Sequence, residues 1–207
     1  MNARVGIVDC AISNVGSVAN ALAHIGADAR VIHDPGELEN LTHIVLPGVG
    51  SFARGMENLN KSGFVTPLRD WAKAGKPILG LCLGMQMMAE EGEEFGPAQG
   101  LRLLPGRIIK MNLSSAELRL PHVGWNDVAV RNSSRLLAGL GPNPAFYFVH
   151  SYCYHDVQAD YVRGICEYGG PQVAFVEKDN IFGAQFHPEK SQKSGLALLR
   201  SFVSVAG

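Results

Sequence analysis

Apolar positions fall into two rhythms that trade places along the first ninety or so residues. Short buried-type runs at 5–9, 30–33, 44–46 and 78–81 predict strands. Between them, residues 15–24, 52–59 and 65–73 repeat their apolar positions every three to four residues, which predicts helices. Strands and helices in alternation imply parallel strands covered by helices. The run at 78–81 passes directly into helical spacing over 83–90, where Met87 and Met88 can pack. The second half changes character. Residues 107–111, 123–130, 145–153, 162–167 and 173–176 read as strands with fewer helices between them. A Lys178-Asp179-Asn180 turn then leads into a strand over 181–186, predicting a hairpin, and a last helix is expected from about 194 to 203. No repeat, linker or low-complexity tract interrupts the pattern. The reading is one α/β domain over 1–207, with a mostly parallel central sheet flanked by helices and an antiparallel portion in the second half.

Composition narrows the function classes. At 207 residues and 46% hydrophobic, the chain can bury a substantial core as one unit. A net charge of −1, without a Lys/Arg cluster, gives no electrostatic reason to expect nucleic acid. The four cysteines, at 10, 82, 153 and 166, lack metal-ligand spacing and suit a reducing compartment. Residues 1–4 lead straight into a strand and no apolar run approaches a membrane span, so a cytoplasmic location without membrane contact is expected. His24, His33, His43, His122 and His155 lie too far apart in sequence to suggest a metal site. Neither the dinucleotide glycine spacing nor a phosphate-loop lysine occurs. No metal and no cofactor is expected.

Chemistry concentrates at Gly80-Leu81-Cys82-Leu83-Gly84-Met85-Gln86. An arbitrary free cysteine usually packs as a small hydrophobe. Cys82, however, falls on a strand-to-helix turn, an elbow that exposes a nucleophile and crowds the backbone on both sides, and Gly80 and Gly84 supply the small flanking residues. The start of a helix also stabilises negative charge on the sulfur. Cys10 lacks a glycine pair and a nearby base, and reads as packing.

A cysteine nucleophile needs a base, and the base needs a third group to orient it. Gly183-Ala184-Gln185-Phe186-His187-Pro188-Glu189-Lys190-Ser191 supplies both, with His187 after a strand and Glu189 two residues on, across a stiffening proline. Attack on an amide carbonyl also builds charge on oxygen that preplaced donors must meet. The Pro47-Gly48-Val49-Gly50-Ser51 segment, following a buried strand, leaves backbone N–H groups at Gly48, Val49 and Gly50 free to do so together with the Leu83 N–H.

The combination resembles the class I, triad-type glutamine amidotransferases, and in particular the glutaminase subunits of imidazole glycerol phosphate synthase. Five segments carry the likeness in family order across nearly the whole chain: Leu46 to Phe52 (LPGVGSF), Gly80 to Gln86 (GLCLGMQ), Pro121 to Asn126 (PHVGWN), Phe148 to Tyr152 (FVHSY) and Gln185 to Ser191 (QFHPEKS). The nucleophile and HPE motifs mark the class, while PHVGWN and HSY point to this subunit. The resemblance implies that Cys82, His187 and Glu189 form the triad and that Gly48 to Gly50 is the oxyanion strand. It also implies that Gln86, Glu94, His150, Ser151 and Tyr152 line the glutamine pocket. Without the resemblance, the Glu90–Glu94 run would read as a solvated helix end.

Family resemblance further implies hydrolysis of the glutamine side-chain amide through a cysteinyl thioester. The released ammonia would pass to a partner, a (β/α)₈-barrel synthase making imidazole glycerol phosphate and a carboxamide by-product. Asn14, Pro121, His122, Trp125, Asn126 and Lys190 are the candidate partner contacts in that heterodimer. One segment departs from the family, which opens with Asp-Tyr-Gly, a further residue and Gly-Asn where this chain has Asp9-Cys10-Ala11-Ile12-Ser13-Asn14. A related glutaminase feeding a different synthase, such as one modifying a surface sugar, carries the same triad. A non-catalytic partner of the same fold is the third reading, and the intact Cys-His-Glu set argues against it.

Overall fold

The computed structural model describes residues 3–9, 11, 14–114, 117–131 and 133–206. Its centre is an eight-stranded sheet. In chain order the elements of the first half are β1 (Arg4–Val8), α1 (Val15–His24), β2 (Asp28–Ile32), β3 (His43–Gly48), α2 (Phe52–Lys61), α3 (Val65–Lys73), β4 (Ile78–Cys82) and α4 (Leu83–Met87). Two short strands follow, β5 (Glu91–Gly92) and β6 (Ala98–Gln99), and then β7 (Arg107–Lys110), β8 (His122–Asp127), β9 (Ala129–Val130), β10 (Ala145–His150) and β11 (Tyr152–His155). The chain closes with β12 (Val162–Glu167), β13 (Pro171–Lys178), β14 (Ile181–Ala184) and α5 (Gln192–Val203). The sheet order is β2-β1-β3-β4-β14-β13-β12-β9. Strands β2, β1, β3, β4 and β14 are parallel neighbours, whereas β13, β12 and β9 add on antiparallel.

The apolar runs explain the centre. Strands β3, β4 and β14 are buried at every position, as expected for strands covered on both faces. One core cluster joins Phe52, Met56, Leu59, Leu68 and Trp71 of α2 and α3 to one face. On the other face, Val18 and Leu22 of α1 pack with Leu198, Leu199 and Phe202 of α5. The β13–β14 hairpin forms as expected, with Lys178 opposite Ile181 and Asp179 in the left-handed region at φ 51°.

Three expectations need correction. Residues 123–130 and 145–153 each read as one strand, yet each is two. Among the described residues strands β8 and β10 pair only with each other, β9 joins the main sheet, and β11 joins a four-stranded sheet in the order β11-β7-β5-β6. Buried Val128 and the turn at Ser151 are where the chain changes sheet. Helix α4 ends at Met87 rather than 90, because residues 91–92 are drawn into β5, which pairs with β7. The 90–94 run is therefore not a solvated helix end. Cys10 lies outside the described residues.

Candidate active site

Strand β4 ends at Cys82, whose backbone stands at φ 51°, ψ −110°, a conformation that costs a non-glycine residue of order 1–3 kcal/mol. The surroundings hold it there. A Cβ on Gly80 would come within 2.6 Å of the Met85 nitrogen, and one on Gly84 would drive into the Leu46 carbonyl. The two glycines flanking the cysteine are thus demanded by close backbone approach on either side of the elbow. Helix α4 is only five residues long, so its dipole adds less at the sulfur than a full helix would. Its first N–H groups, that of Leu83 among them, nonetheless lack intrahelical acceptors.

His187 follows β14 and is held from both sides. Its N–H donates to the Tyr147 carbonyl at 2.9 Å, and its side-chain Nδ1 sits 2.8 Å from Glu189 Oε1, with both side chains almost fully buried. Because that bond fixes Nδ1–H, Nε2 is the ring nitrogen left to exchange a proton with Cys82. Burial disfavours the imidazolium, but hydrogen bonding and charge from Cys82 and Glu189 outweigh it and push His187 up to about 10. Base and orienting carboxylate are therefore assembled around the sulfur.

These groups meet at a cavity of about 360 Å³. Cys82 and His187 line it together with Val49, Gly50 and Leu83. Gly48 does not; it pairs with Cys82 across β3 and β4, where a Cβ would press on Leu83 Cβ at 3.0 Å, so it acts as a spacer. Gln86, Glu94, His150, Ser151 and Tyr152 also line the cavity, as does Val149, which the sequence reading did not single out. The Gln86 amide donates to the Tyr152 carbonyl at 2.9 Å and to Gln185 Oε1 at 3.0 Å. Glu94 Oε2 accepts from the Phe52 N–H at 2.8 Å at the start of α2, which holds the oxyanion segment and the glutamate together. His150 Nδ1 bonds the Tyr152 carbonyl at 2.9 Å, and burial lowers the ring to about 4.

Of the candidate partner contacts, Pro121 is exposed at the cavity edge and Trp125 is 50% exposed. Lys190 is exposed, its Nζ 5.7 Å from the Tyr147 ring centroid. Asn14 immediately precedes α1 without a side-chain capping bond, and α1 packs on the Pro188–Lys190 turn. His122 is a correction. Side chains alternate across β8, so His122 faces inward, sandwiched between Phe148 and Tyr168, and is not available to a partner. Half-buried Asn126 shares that face and commits its amide to the Glu167 carbonyl at 2.9 Å. The outward residues of β8 are Val123, Trp125 and Asp127. In the departing loop, Ala11 adopts φ 61°, the left-handed conformation that glycine takes without strain.

Comparison with known proteins agrees with this geometry. The family model described as glutamine amidotransferase class-I matches residues 6–205. A protein of Desulfitobacterium hafniense named imidazole glycerol phosphate synthase subunit HisH is 45% identical, over 96% of this chain and 92% of the relative. The same-named protein of Streptococcus gordonii is 43% identical over 91% of this chain and 90% of its own. Among solved structures, a glutamine amidotransferase superimposes with a TM-score of 0.76 at 19% identity, covering 97% of this chain and 99% of that one. A chain of PurLQS from Thermotoga maritima gives 0.75 at 19% identity, covering 98% of each. At that identity the structures speak for the fold alone. The chain belongs to the class-I glutamine amidotransferase family and, within it, groups with the HisH subunits.

Proposed function

We propose that this single-domain chain is the glutaminase subunit of imidazole glycerol phosphate synthase, splitting L-glutamine into glutamate and ammonia for histidine biosynthesis in the cytoplasm. The observation that carries the chemistry is the convergence of a strained Cys82, a Glu189-bound His187 and free helix-start N–H groups on one cavity. Cys82 Sγ attacks the glutamine side-chain carbonyl carbon. His187 carries the thiol proton to the departing nitrogen, so that ammonia leaves and a γ-glutamyl thioester remains. Water then attacks the thioester, His187 taking its proton and passing it to the departing sulfur, so that glutamate is released and the Cys82 thiol is regenerated. Glu189 holds the ring tautomer and stabilises its positive charge. The Leu83 N–H with those of Val49 and Gly50 receives the oxyanion, while Gln86, Glu94, His150, Ser151 and Tyr152 bind the amino acid.

Ammonia released to bulk water would be protonated and wasted, so the cavity has to open onto an acceptor. We place a (β/α)₈-barrel synthase there. On the outer face of the β8–β10 pair, Val123 lies opposite Val149 and Trp125 opposite Tyr147. Val123 is 56% exposed, and Val149 lines the cavity. An apolar patch at the mouth of a reactive site suits a docking partner. Replacing Cys82 with Ala tests the reading in the reconstituted pair. Glutamine-driven synthesis should vanish while synthesis from added ammonium salt continues. Loss of both would make Cys82 structural, and growth failure of a complemented histidine auxotroph despite intact glutaminase activity would assign the chain to another synthase.

A further inference from the structure

Gln185 is fully buried, and its side chain reaches both the nucleophile and the glutamine pocket. Ala184 pairs with Leu81 across the parallel β14 and β4, so Gln185, just past the end of β14, and Cys82, the last residue of β4, come out at the same level of the sheet. Gln185 Nε2 lies 3.8 Å from Cys82 Sγ, a normal donor distance for sulfur. Its orientation is determined by its neighbours. The Tyr152 carbonyl can only accept, so the Gln86 group 2.9 Å away must be the NH₂. The other hydrogen of that NH₂ needs an acceptor, which must be Gln185 Oε1 at 3.0 Å. Gln185 therefore has to turn its own NH₂ toward the sulfur. The Gln185 main chain is pinned as well, its N–H donating to the Ala174 carbonyl at 2.9 Å.

We propose that Gln185 is a positioning residue for glutamine hydrolysis, donating an N–H to Cys82 Sγ and holding the sulfur in its attacking orientation. A donor on sulfur stabilises the charged form of the nucleophile relative to the neutral one. The sulfur also approaches the Val149 carbonyl at 3.8 Å, so donor and acceptor hold it from two sides. Because the same Gln86 amide serves the cavity wall and Gln185, the substrate pocket and the sulfur share one hydrogen-bonded unit.

The inference rests on Cys82 being the nucleophile, and its test separates the two claims. Gln185→Met keeps the length and removes the donor; Gln185→Glu keeps the shape and presents an oxygen to the sulfur. In the full chain, alkylation of Cys82 by iodoacetamide is followed against pH by peptide mass. In the complex with the synthase, kcat and KM for glutamine are measured, with thermal midpoint and complex formation checking the fold. The alkylation profile should move up by about one pH unit in Gln185→Met, the size expected for one charge-assisted hydrogen bond, and further in Gln185→Glu. The kcat should fall at least about tenfold while KM stays within about threefold. Profiles that superimpose on the wild type in both variants, or a loss confined to KM, overturn the proposal. If Gln185→Met does not fold, Gln185→Glu alone decides. A wild-type complex that fails to hydrolyse glutamine refutes the functional reading, and the alkylation profiles still judge Gln185.

Discussion

His187 and Glu189 are joined at 2.8 Å through Nδ1 and Oε1 although only Pro188 separates them, the turn Pro188–Lys190 folding the carboxylate back under the ring. Both side chains are buried, so the bond is shielded from competing water. In Glu189→Gln the side chain keeps its shape but loses its charge and can turn an NH₂ toward Nδ1. The imidazolium then loses its stabilising partner and the ring can take the wrong tautomer. The kcat for glutamine should fall by at least about a hundredfold, with KM nearly unchanged. A kcat within threefold of wild type in the reconstituted pair would remove Glu189 from the mechanism.

The elbow makes an opposite-sign pair of glycine substitutions. Gly84→Ala forces a methyl into the Leu46 main chain, which cannot yield like the end of a side chain, and should destabilise the fold by about 3 kcal/mol or more. Gly16→Ala, on α1 with nothing among the described residues within 4 Å of the new Cβ, should instead stabilise it by a few tenths to about 1 kcal/mol. Urea unfolding of the free chain measures both. Equal effects would mean that the elbow relaxes freely and that Gly84 is not held by packing.

Much of this was legible in the sequence, for physical reasons that differ by region. Strands β1, β3 and β4 announce themselves because a strand buried on both faces needs an unbroken apolar run, and α1 and α3 do so through amphipathic spacing. Cys82 and His187 stand out because the elbow and the strand-end histidine each impose residue types on their neighbours. The failures share a cause. Val123 to Val130 looks like one strand because periodicity reports which face a residue takes and not which sheet it joins. His122 reads as a surface residue because a histidine stacked between two rings has no signature in one-dimensional sequence. Gln185 carries no sequence signal for the same reason, since its partners Gln86 and Cys82 are 99 and 103 residues away in the chain.

Acid should loosen the cavity wall. Burial lowers His122 and His150 to about 4, and their rings meet at 3.3 Å, so both are neutral in the folded chain at pH 7. In the unfolded chain they protonate near the ordinary value of 6.5. Folded-state values below the unfolded ones mean that the unfolded state binds more protons in this window. Their contribution to stability is therefore complete above about pH 6.5 and lost as pH falls toward 4, by up to about 3 kcal/mol for one ring. Urea midpoints measured from pH 7 to 4 should decline, and His150→Gln should flatten part of that decline. A parallel decline in the variant would place the acid sensitivity elsewhere.

Trp125 is the strongest handle on the partner. Its ring is half exposed on the outer face of β8 and rests edge-on against Tyr147 with centroids 6.2 Å apart, while Lys190 lies over the other aromatic ring. Half-exposed and contributing little to the core, it can be cut back without disturbing the fold, and a large exposed aromatic is the residue type that dominates docking energies. Trp125→Ala should weaken association with the synthase by roughly tenfold to a hundredfold, about 1.4–2.8 kcal/mol. Its thermal midpoint in the free chain should move by no more than a degree or two, since a surface truncation costs within about 0.5 kcal/mol. At saturating partner concentration, glutamine-driven synthesis should return, because Trp125 touches none of Cys82, His187 or Glu189. Titration of the synthase by calorimetry separates the outcomes: unchanged affinity moves the docking surface off the β8–β10 face, and a lower midpoint makes Trp125 part of the fold rather than the interface.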